Sequence, residues 1–288
     1  MPVNSFILFN GKYHFRDEFG LSFKNRAFCY GDALFETMHA NGTEIQFFDD
    51  HLIRLKYGME VLQMEIPTVI ETGFIEKEII KLLHKNKLYQ GVRIRLTVFR
   101  NTGGKYTPTD NNISYLVETE YIEKDYYELN QKGLVIDTFS DIKKPVNALS
   151  NLKSANALLY IMAGLYAKRK KLGDCILINE KDFIVEGVSS NIFIVKGNSI
   201  STPPLKDGPV AGIMRKQILK IADKHGLNIN FESSLTEKHL LNADEVFFTN
   251  SITGIRWVLA YKNRRYFNHV ARQFAEKLNI EVFEKKQL

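Results

Sequence analysis

Two ionisable residues in apolar surroundings could do chemistry together: Lys153 and Glu186. Lys153 follows Leu152 and precedes the small residues Ser154 and Ala155. An ammonium there is partly desolvated and its pKa falls, which suits it to imine formation with an aldehyde. Glu186 ends the run Phe183-Ile184-Val185 and opens the small, polar stretch Gly187 to Asn191. A carboxylate in that position can pair with a protonated ring nitrogen. A lysine for an aldehyde and an acid for a pyridinium are together what pyridoxal phosphate requires. A lysine on its own is most often solvated surface, so the weight falls on its companions.

The elements that must position this pair are legible. Leu158, Leu159, Ile161, Met162, Leu165 and Tyr166 recur at helical spacing, which predicts a helix between Ser154 and Leu172 with Gly173 as its stop. Cys175 to Ile178 reads as a buried strand, Asn179 to Asp182 as a turn, and Phe183 to Val185 as a returning strand. Lys153 is then expected at the mouth of a helix and Glu186 at a strand end.

With these residues in view, the segment resembles the class IV aminotransferases, the fold-type IV pyridoxal phosphate enzymes. That family includes branched-chain and D-amino acid aminotransferases and 4-amino-4-deoxychorismate lyase. Lys153, Glu186 and Asn191-Ile192-Phe193 match its pattern of lysine, acid, small polar residues and Asn-hydrophobic-Phe. The resemblance extends from about Asn25 to Val258. Arg26 through Glu36 is similar to the family's Arg-x-x-x-x-Gly-Asp-x-x-Phe-Glu segment, and it implies Tyr30, Phe35 and Glu36 as substrate-pocket residues. His51-x-x-Arg54-Leu55 is similar to the motif whose arginine holds the cofactor phosphate, a task suited to a planar guanidinium. His51 itself reads as structural, near a helix start capped by Asp49 or Asp50.

Gly212-Ile213-Met214-Arg215 resembles the Gly-Ile-Thr-Arg turn, in which helix N-terminal amides bind the phosphate. Met214 stands where the family has a hydroxyl, so only the amide contact is implied for it and for Ile213. Thr249-Asn250-Ser251 resembles the phosphate-hydroxyl turn, with Ser251 as donor and with Ile252 and Thr253 near the substrate carboxylate. Ser190 and Asn191 are implied beside the cofactor. In the loop after Arg100, that residue or Lys105 is implied to meet a carboxylate. Lys105-Tyr106-Thr107 stands where the D-amino acid enzymes carry an Arg-x-His trap, which argues against D-alanine-type specificity. Gly103-Gly104-Lys105 lacks the spacing and the following Ser or Thr of a nucleotide phosphate loop.

The resemblance implies a mixed α/β (α+β) fold-type IV architecture: a smaller N-terminal α/β domain over residues 1–121, a connection at 122–130, and a larger domain over 131–288 with a mixed, barrel-like sheet and helices. It also implies a homodimer. The activity implied is transfer of an amino group, most readily from a branched-chain amino acid, to a 2-keto acid through an internal aldimine on Lys153. The alternative is 4-amino-4-deoxychorismate lyase, which releases pyruvate and 4-aminobenzoate. Phe35-Glu36 resembles the aminotransferases, whereas Lys153-x-x-Asn156 and Thr249-Asn250-Ser251 resemble the lyase or D-amino acid branches.

Composition narrows the remaining classes. With 288 residues, 44% hydrophobic and 25% charged, the chain is that of an ordinary globular protein with room for two units. The net charge of +6 is scattered, and the one basic cluster, Lys168 to Lys171, falls in a helix's last turn where cations complement the dipole. A nucleic-acid-binding protein, like a cofactor-binding protein without turnover, is therefore only a remote alternative, although a basic surface draws anionic substrates. Cys29 and Cys175 have no paired spacing, which excludes a disulfide framework or a zinc site and predicts buried thiols in a reducing cytoplasm. No stretch resembles a signal peptide or a membrane span.

Overall fold

Along β5 (Gly91–Arg100) the residues Val92, Ile94, Leu96 and Val98 are buried while Arg93, Arg95 and Thr97 are half-buried, the alternation of a strand with one face on a core. In the computed structural model, which describes residues 5–284, this strand is central to the first sheet. With β1 (Phe6–Phe9), β2 (Lys12–Phe15), β3 (Ala33–Asn41), β4 (Glu44–Ile45) and β6 (Ile113–Tyr121), the sheet order is β2-β1-β6-β5-β3-β4. Each neighbouring pair is antiparallel. The helices of this unit are α1 (Arg26–Tyr30), α2 (Phe48–Val61), α3 (Thr68–Glu71) and α4 (Ile75–Lys85). Leu52, Leu55 and Met59 of α2 and Ile79, Leu82 and Leu83 of α4 bury against Leu34, Met38, Ile94, Leu96 and Val117. Helix and sheet approach closely at Gly58, where a Cβ would lie 2.8 Å from Leu34 Cδ1.

Helix α2 begins two or three residues earlier than the expected caps, Asp49 or Asp50, would place it. Phe47, in the left-handed region at φ 56°, is the N-cap. Asp49 and Asp50 sit instead in the first turn, where their charge meets the positive end of the helix dipole.

The second unit is built on a nine-stranded sheet that curls into a half-barrel. Its strands are β7 (Leu134–Lys144), β8 (Asp174–Asn179), β9 (Ile184–Gly187), β10 (Asn191–Lys196), β11 (Ser199–Ser201), β12 (Asn228–Asn230), β13 (Glu245–Asn250), β14 (Gly254–Tyr261) and β15 (Arg264–Arg265). The order is β12-β11-β10-β13-β14-β7-β8-β9, with β15 on β14. Strand β7 is parallel to both β14 and β8, and every residue of β8 is buried, as expected for a strand covered on both faces. The helices are α5 (Leu158–Arg169), α6 (Ile213–Lys224), α7 (Glu237–Asn242) and α8 (His269–Asn279). Ala163 and Ala167 let α5 pack on Phe139, Cys175 and Leu177.

The division between units falls between Tyr126 and Tyr127, and the segment Leu152–Asn156 returns to the first unit. Lys153 therefore belongs to the smaller unit rather than the larger one. The helix expected from Ser154 starts only at Leu158, because the preceding residues pair with β3. Cys175 is buried as expected, whereas Cys29 is exposed at the end of α1. Among the described residues no helix is long and apolar enough to cross a membrane. No group of three or more His, Cys, Asp or Glu is arranged there to hold a metal.

Candidate active site

In the first unit, Lys153 is fixed by main-chain pairing. Its carbonyl accepts from the Phe35 amide at 3.0 Å, the Ala155 amide donates to the Ala33 carbonyl at 2.9 Å, and Ser154 bridges Leu34. Leu152 anchors the segment in the core at 6% exposure. The Lys153 ammonium lies 4.5 Å from the Phe35 ring centroid. The Arg95 guanidinium lies 3.9 Å from the same ring. Register explains the second contact: Phe35 faces Thr97 and Thr37 faces Arg95, so Phe35 and Arg95 are diagonal neighbours across the strands.

Glu36, one residue on, points into the core and is 2% exposed. Arg54 donates from Nε to Oε1 at 2.8 Å and from Nη2 to Oε2, a bidentate pair. His51 Nδ1 donates to Oε2 at 2.6 Å. Burial alone raises the Glu36 carboxyl, but the Arg54 charge and the His51 bond outweigh it and hold its pKa at about 2. Burial pushes His51 down, and the charges of Arg54 and Lys153 push the same way against Glu36. A neutral imidazole results, and its Nε2 is buried without a protein partner. Arg54 and Lys153 are thus the cations whose charges act on the neutral His51.

The loop residues behave differently. Arg100 is buried and directs its guanidinium at Asp32, Asn111 and the carbonyls of Leu62 and Gln63. Its donors hold the loop, which is at odds with the carboxylate contact expected of it. Arg26, from the same unit, bonds Asp32 and the carbonyls of Gly103 and Lys105. The Lys105 side chain is exposed. The Tyr30 ring meets that of Tyr106 at a tilt, centroids 5.7 Å apart, and lies beneath the Arg26 guanidinium at 4.9 Å.

In the second unit, Glu186 is 3% exposed on β9. Its Oε1 accepts from Lys144 Nζ at 2.5 Å and from the Tyr160 hydroxyl at 2.8 Å, and its Oε2 accepts from the Val210 amide at 2.9 Å. Burial and the neighbouring carboxylate keep Tyr160 protonated far above the usual phenol range. The Ser190 hydroxyl donates to Asp174 at 3.4 Å, and Asn191 Nδ2 donates to the Val210 carbonyl at 2.9 Å.

Helix α6 starts from Gly212, whose lack of a side chain leaves the first turn without a side-chain cap. A Cβ on Gly212 would fall 1.8 Å from Asn191 Oδ1, so only glycine lets the chain pass so close. Asn191 pairs in register with Thr249, whose buried hydroxyl has no protein partner. Ile213 and Met214 bury their side chains in the core, which explains an apolar residue at the second position. In the turn after β13, Asn250 Oδ1 accepts from the amides of Ile252 (3.0 Å) and Thr253 (2.8 Å) and from the Thr253 hydroxyl. Those two amides, expected near a substrate carboxylate, are engaged within the turn. Ser251 is half-buried beside them, its carbonyl accepting from the Tyr127 hydroxyl.

Taken unit by unit, these groups suit the parts of a phosphorylated pyridine. In the first unit Arg54 suits an anion. In the second, the α6 start without a side-chain cap and the Thr249 hydroxyl without a protein partner suit a phosphate, and Glu186 suits a protonated nitrogen. Sequence reasoning missed Lys144, Tyr160 and Arg95. Arg95 was visible as a basic position alternating with apolar ones. Lys144 carried no signal, since its partner is supplied by pairing between distant strands.

The Amino-transferase class IV family matches residues 33–261. The chain belongs to that family. A Methanocaldococcus jannaschii protein assigned as a branched-chain-amino-acid aminotransferase is 29% identical over 282 residues, covering 94% of this chain and 93% of its own. The Bacillus subtilis aminodeoxychorismate lyase is 30% identical over 256 residues, covering 86% and 84%. In fold, the T.th. branched-chain amino acid aminotransferase solved with pyridoxamine 5'-phosphate superposes with a TM-score of 0.86 at 24% identity, over 97% of this chain and 94% of that one. The protein is an enzyme of this family, and its two sheets have the fold-type IV architecture.

Proposed function

We propose that the protein is a pyridoxal 5'-phosphate-dependent aminotransferase that passes the amino group of a branched-chain amino acid to a 2-keto acid. The observation that carries this reading is the pair of immobilised groups at the family's lysine and acid positions: Lys153, clamped to β3, and Glu186, buried and paired with a cation. Lys153 would hold the cofactor covalently. Glu186 would hold its ring nitrogen. Arg54, Ile213, Met214 and Ser251 would hold its phosphate, through side chains or amides, with Ser190 and Asn191 shaping the approach. When bound, the cofactor supplies an electron sink for negative charge developing at the substrate Cα.

The chain's own work is then proton movement and orientation. Lys153 Nζ takes the Cα proton and returns it, which requires a basicity near working pH. Phe35, under both Lys153 and Arg95, sets the direction of the ammonium and offers an apolar wall to a hydrocarbon side chain. The half-buried Arg95 supplies a cation for a substrate carboxylate, and the exposed Lys105 and Tyr30 border its entry. A homodimer is supported by the stripe Leu158, Ile161, Met162 and Leu165 on α5, all exposed at helical spacing. Two free thiols accord with a cytoplasmic location.

The Asn250-centred turn and the lyase among the relatives favour 4-amino-4-deoxychorismate lyase as a second reading. Absorbance spectra of the cofactor-loaded protein separate the two. Transamination predicts conversion to the aminated cofactor by a branched-chain amino acid and reversal by a 2-keto acid. A spectrum that resists every amino acid, with pyruvate released from 4-amino-4-deoxychorismate, establishes the lyase instead.

A further inference from the structure

Glu186 has a second feature: its two oxygens are not equivalent. Oε1 faces Lys144 from β7 and Tyr160 from α5, whereas Oε2 receives only the Val210 amide. Opposite Glu186 in register, β8 presents Leu177, so Lys144 and Tyr160 are the only titratable side chains bonded to it among the described residues. Lys144 is itself 5% exposed, and its ammonium stands 5.4 Å from the Tyr160 ring. A carboxylate buried this deeply takes up a proton unless a cation compensates it. Tyr160 is kept protonated and can only donate, so Lys144 is the compensating charge.

We propose that Lys144 is a positioning residue that keeps Glu186 ionised and clamped by Oε1 before the cofactor arrives, leaving Oε2 as the edge offered to a protonated ring nitrogen. The inference rests on the reading that Glu186 serves pyridoxal phosphate. Its first consequence belongs to the cofactor-free chain alone. A Lys144→Met variant loses the cation, Glu186 becomes a neutral acid, and a neutral acid cannot hold a pyridinium. Lys144→Arg keeps the charge and keeps the clamp.

The test uses the full chain. Infrared difference spectra of the cofactor-free protein at neutral pH should show a protonated-carboxyl band in Lys144→Met. That band should be absent from the wild type, from Lys144→Arg and from the double variant Lys144→Met/Glu186→Gln. Titration with pyridoxal 5'-phosphate should give a dissociation constant weakened roughly tenfold in Lys144→Met, the scale of one charge-assisted contact, and nearly restored in Lys144→Arg. Wild-type affinity together with no new band in Lys144→Met overturns the proposal. Should Lys144→Met fail to fold, recovery of folding in the double variant supports charge compensation, and persistent unfolding of both overturns it. If the wild type itself takes up no cofactor, the functional reading fails, while the infrared result still decides whether Lys144 governs Glu186.

Discussion

Glu36 and Glu186 are both buried carboxylates paired with a cation, one in each unit, and their surroundings give them different work. Glu36 is saturated: Arg54 occupies both oxygens and His51 adds a third donor. Its charge is spent on fixing α2 to β3. Glu186 is saturated on one side only, with Lys144 and Tyr160 on Oε1 and a single main-chain amide on Oε2. A carboxylate built for stability closes both edges, and one built for a ligand keeps an edge open. Burial does not distinguish the two cases, but the distribution of donors does.

The comparison can be broken or sharpened by substitution. The largest effect is expected at Lys153. Lys153→Ala should lower kcat/KM by roughly 10³-fold or more, the scale of deleting a covalent catalytic group. Its urea midpoint should stay close to wild type, and normal turnover would discard the site assignment altogether.

Next in size is Arg54→Ala, which strands Glu36 as an uncompensated buried charge. Chemical denaturation should show a loss of roughly 3–5 kcal/mol, along with weaker cofactor retention. A variant that lost cofactor but no stability would mean that Glu36 is not held as described.

Acid should act through Glu36 in a defined window. Its folded pKa of about 2 lies below the unfolded carboxylate value of 4.5, so the folded form resists protonation that the unfolded chain accepts. The stabilisation is complete above the unfolded value and is lost as pH falls toward 2. It amounts to about 3 kcal/mol on the usual conversion of pKa shift to free energy. Glu36→Gln, measured by denaturation at stepped pH, should flatten that part of the profile.

The smallest effect is expected where both partners are solvated. Breaking the exposed Arg93–Glu120 pair at 3.3 Å by Arg93→Ala should change stability by less than about 1 kcal/mol. A larger loss there would show that ion pairing as such, rather than its burial, sets these energies.

Much of this was readable from residue types. The alternation Val92-Arg93-Ile94-Arg95-Leu96 gave β5 its faces, and the hydrophobic spacing after Lys153 marked a helix. The motifs located Glu186, Arg54 and the Gly212 turn. Three things were hidden for one reason, that long-range pairing competes with local preference. The helix starts at Leu158 rather than near Ser154 because the main chain of Lys153 and Ala155 found partners on β3. Lys144 gained its role only when β7 ended beside β9's acid. Arg100 looked available for a substrate until burial tied it to Asp32 and Asn111. Phe47 as an N-cap was equally invisible, since a bulky residue at positive φ defies the propensity that favoured the two aspartates.

The central claim is that of two lysines, each near an acid-bearing strand, Lys153 carries the cofactor and Lys144 serves Glu186. Borohydride reduction of the protein with pyridoxal 5'-phosphate, followed by peptide mass spectrometry, tests this most directly. The phosphopyridoxyl label is predicted on the peptide containing Lys153, with Lys144 unmodified. Label on Lys144, or a stoichiometric label elsewhere with Lys153 intact, would contradict the account.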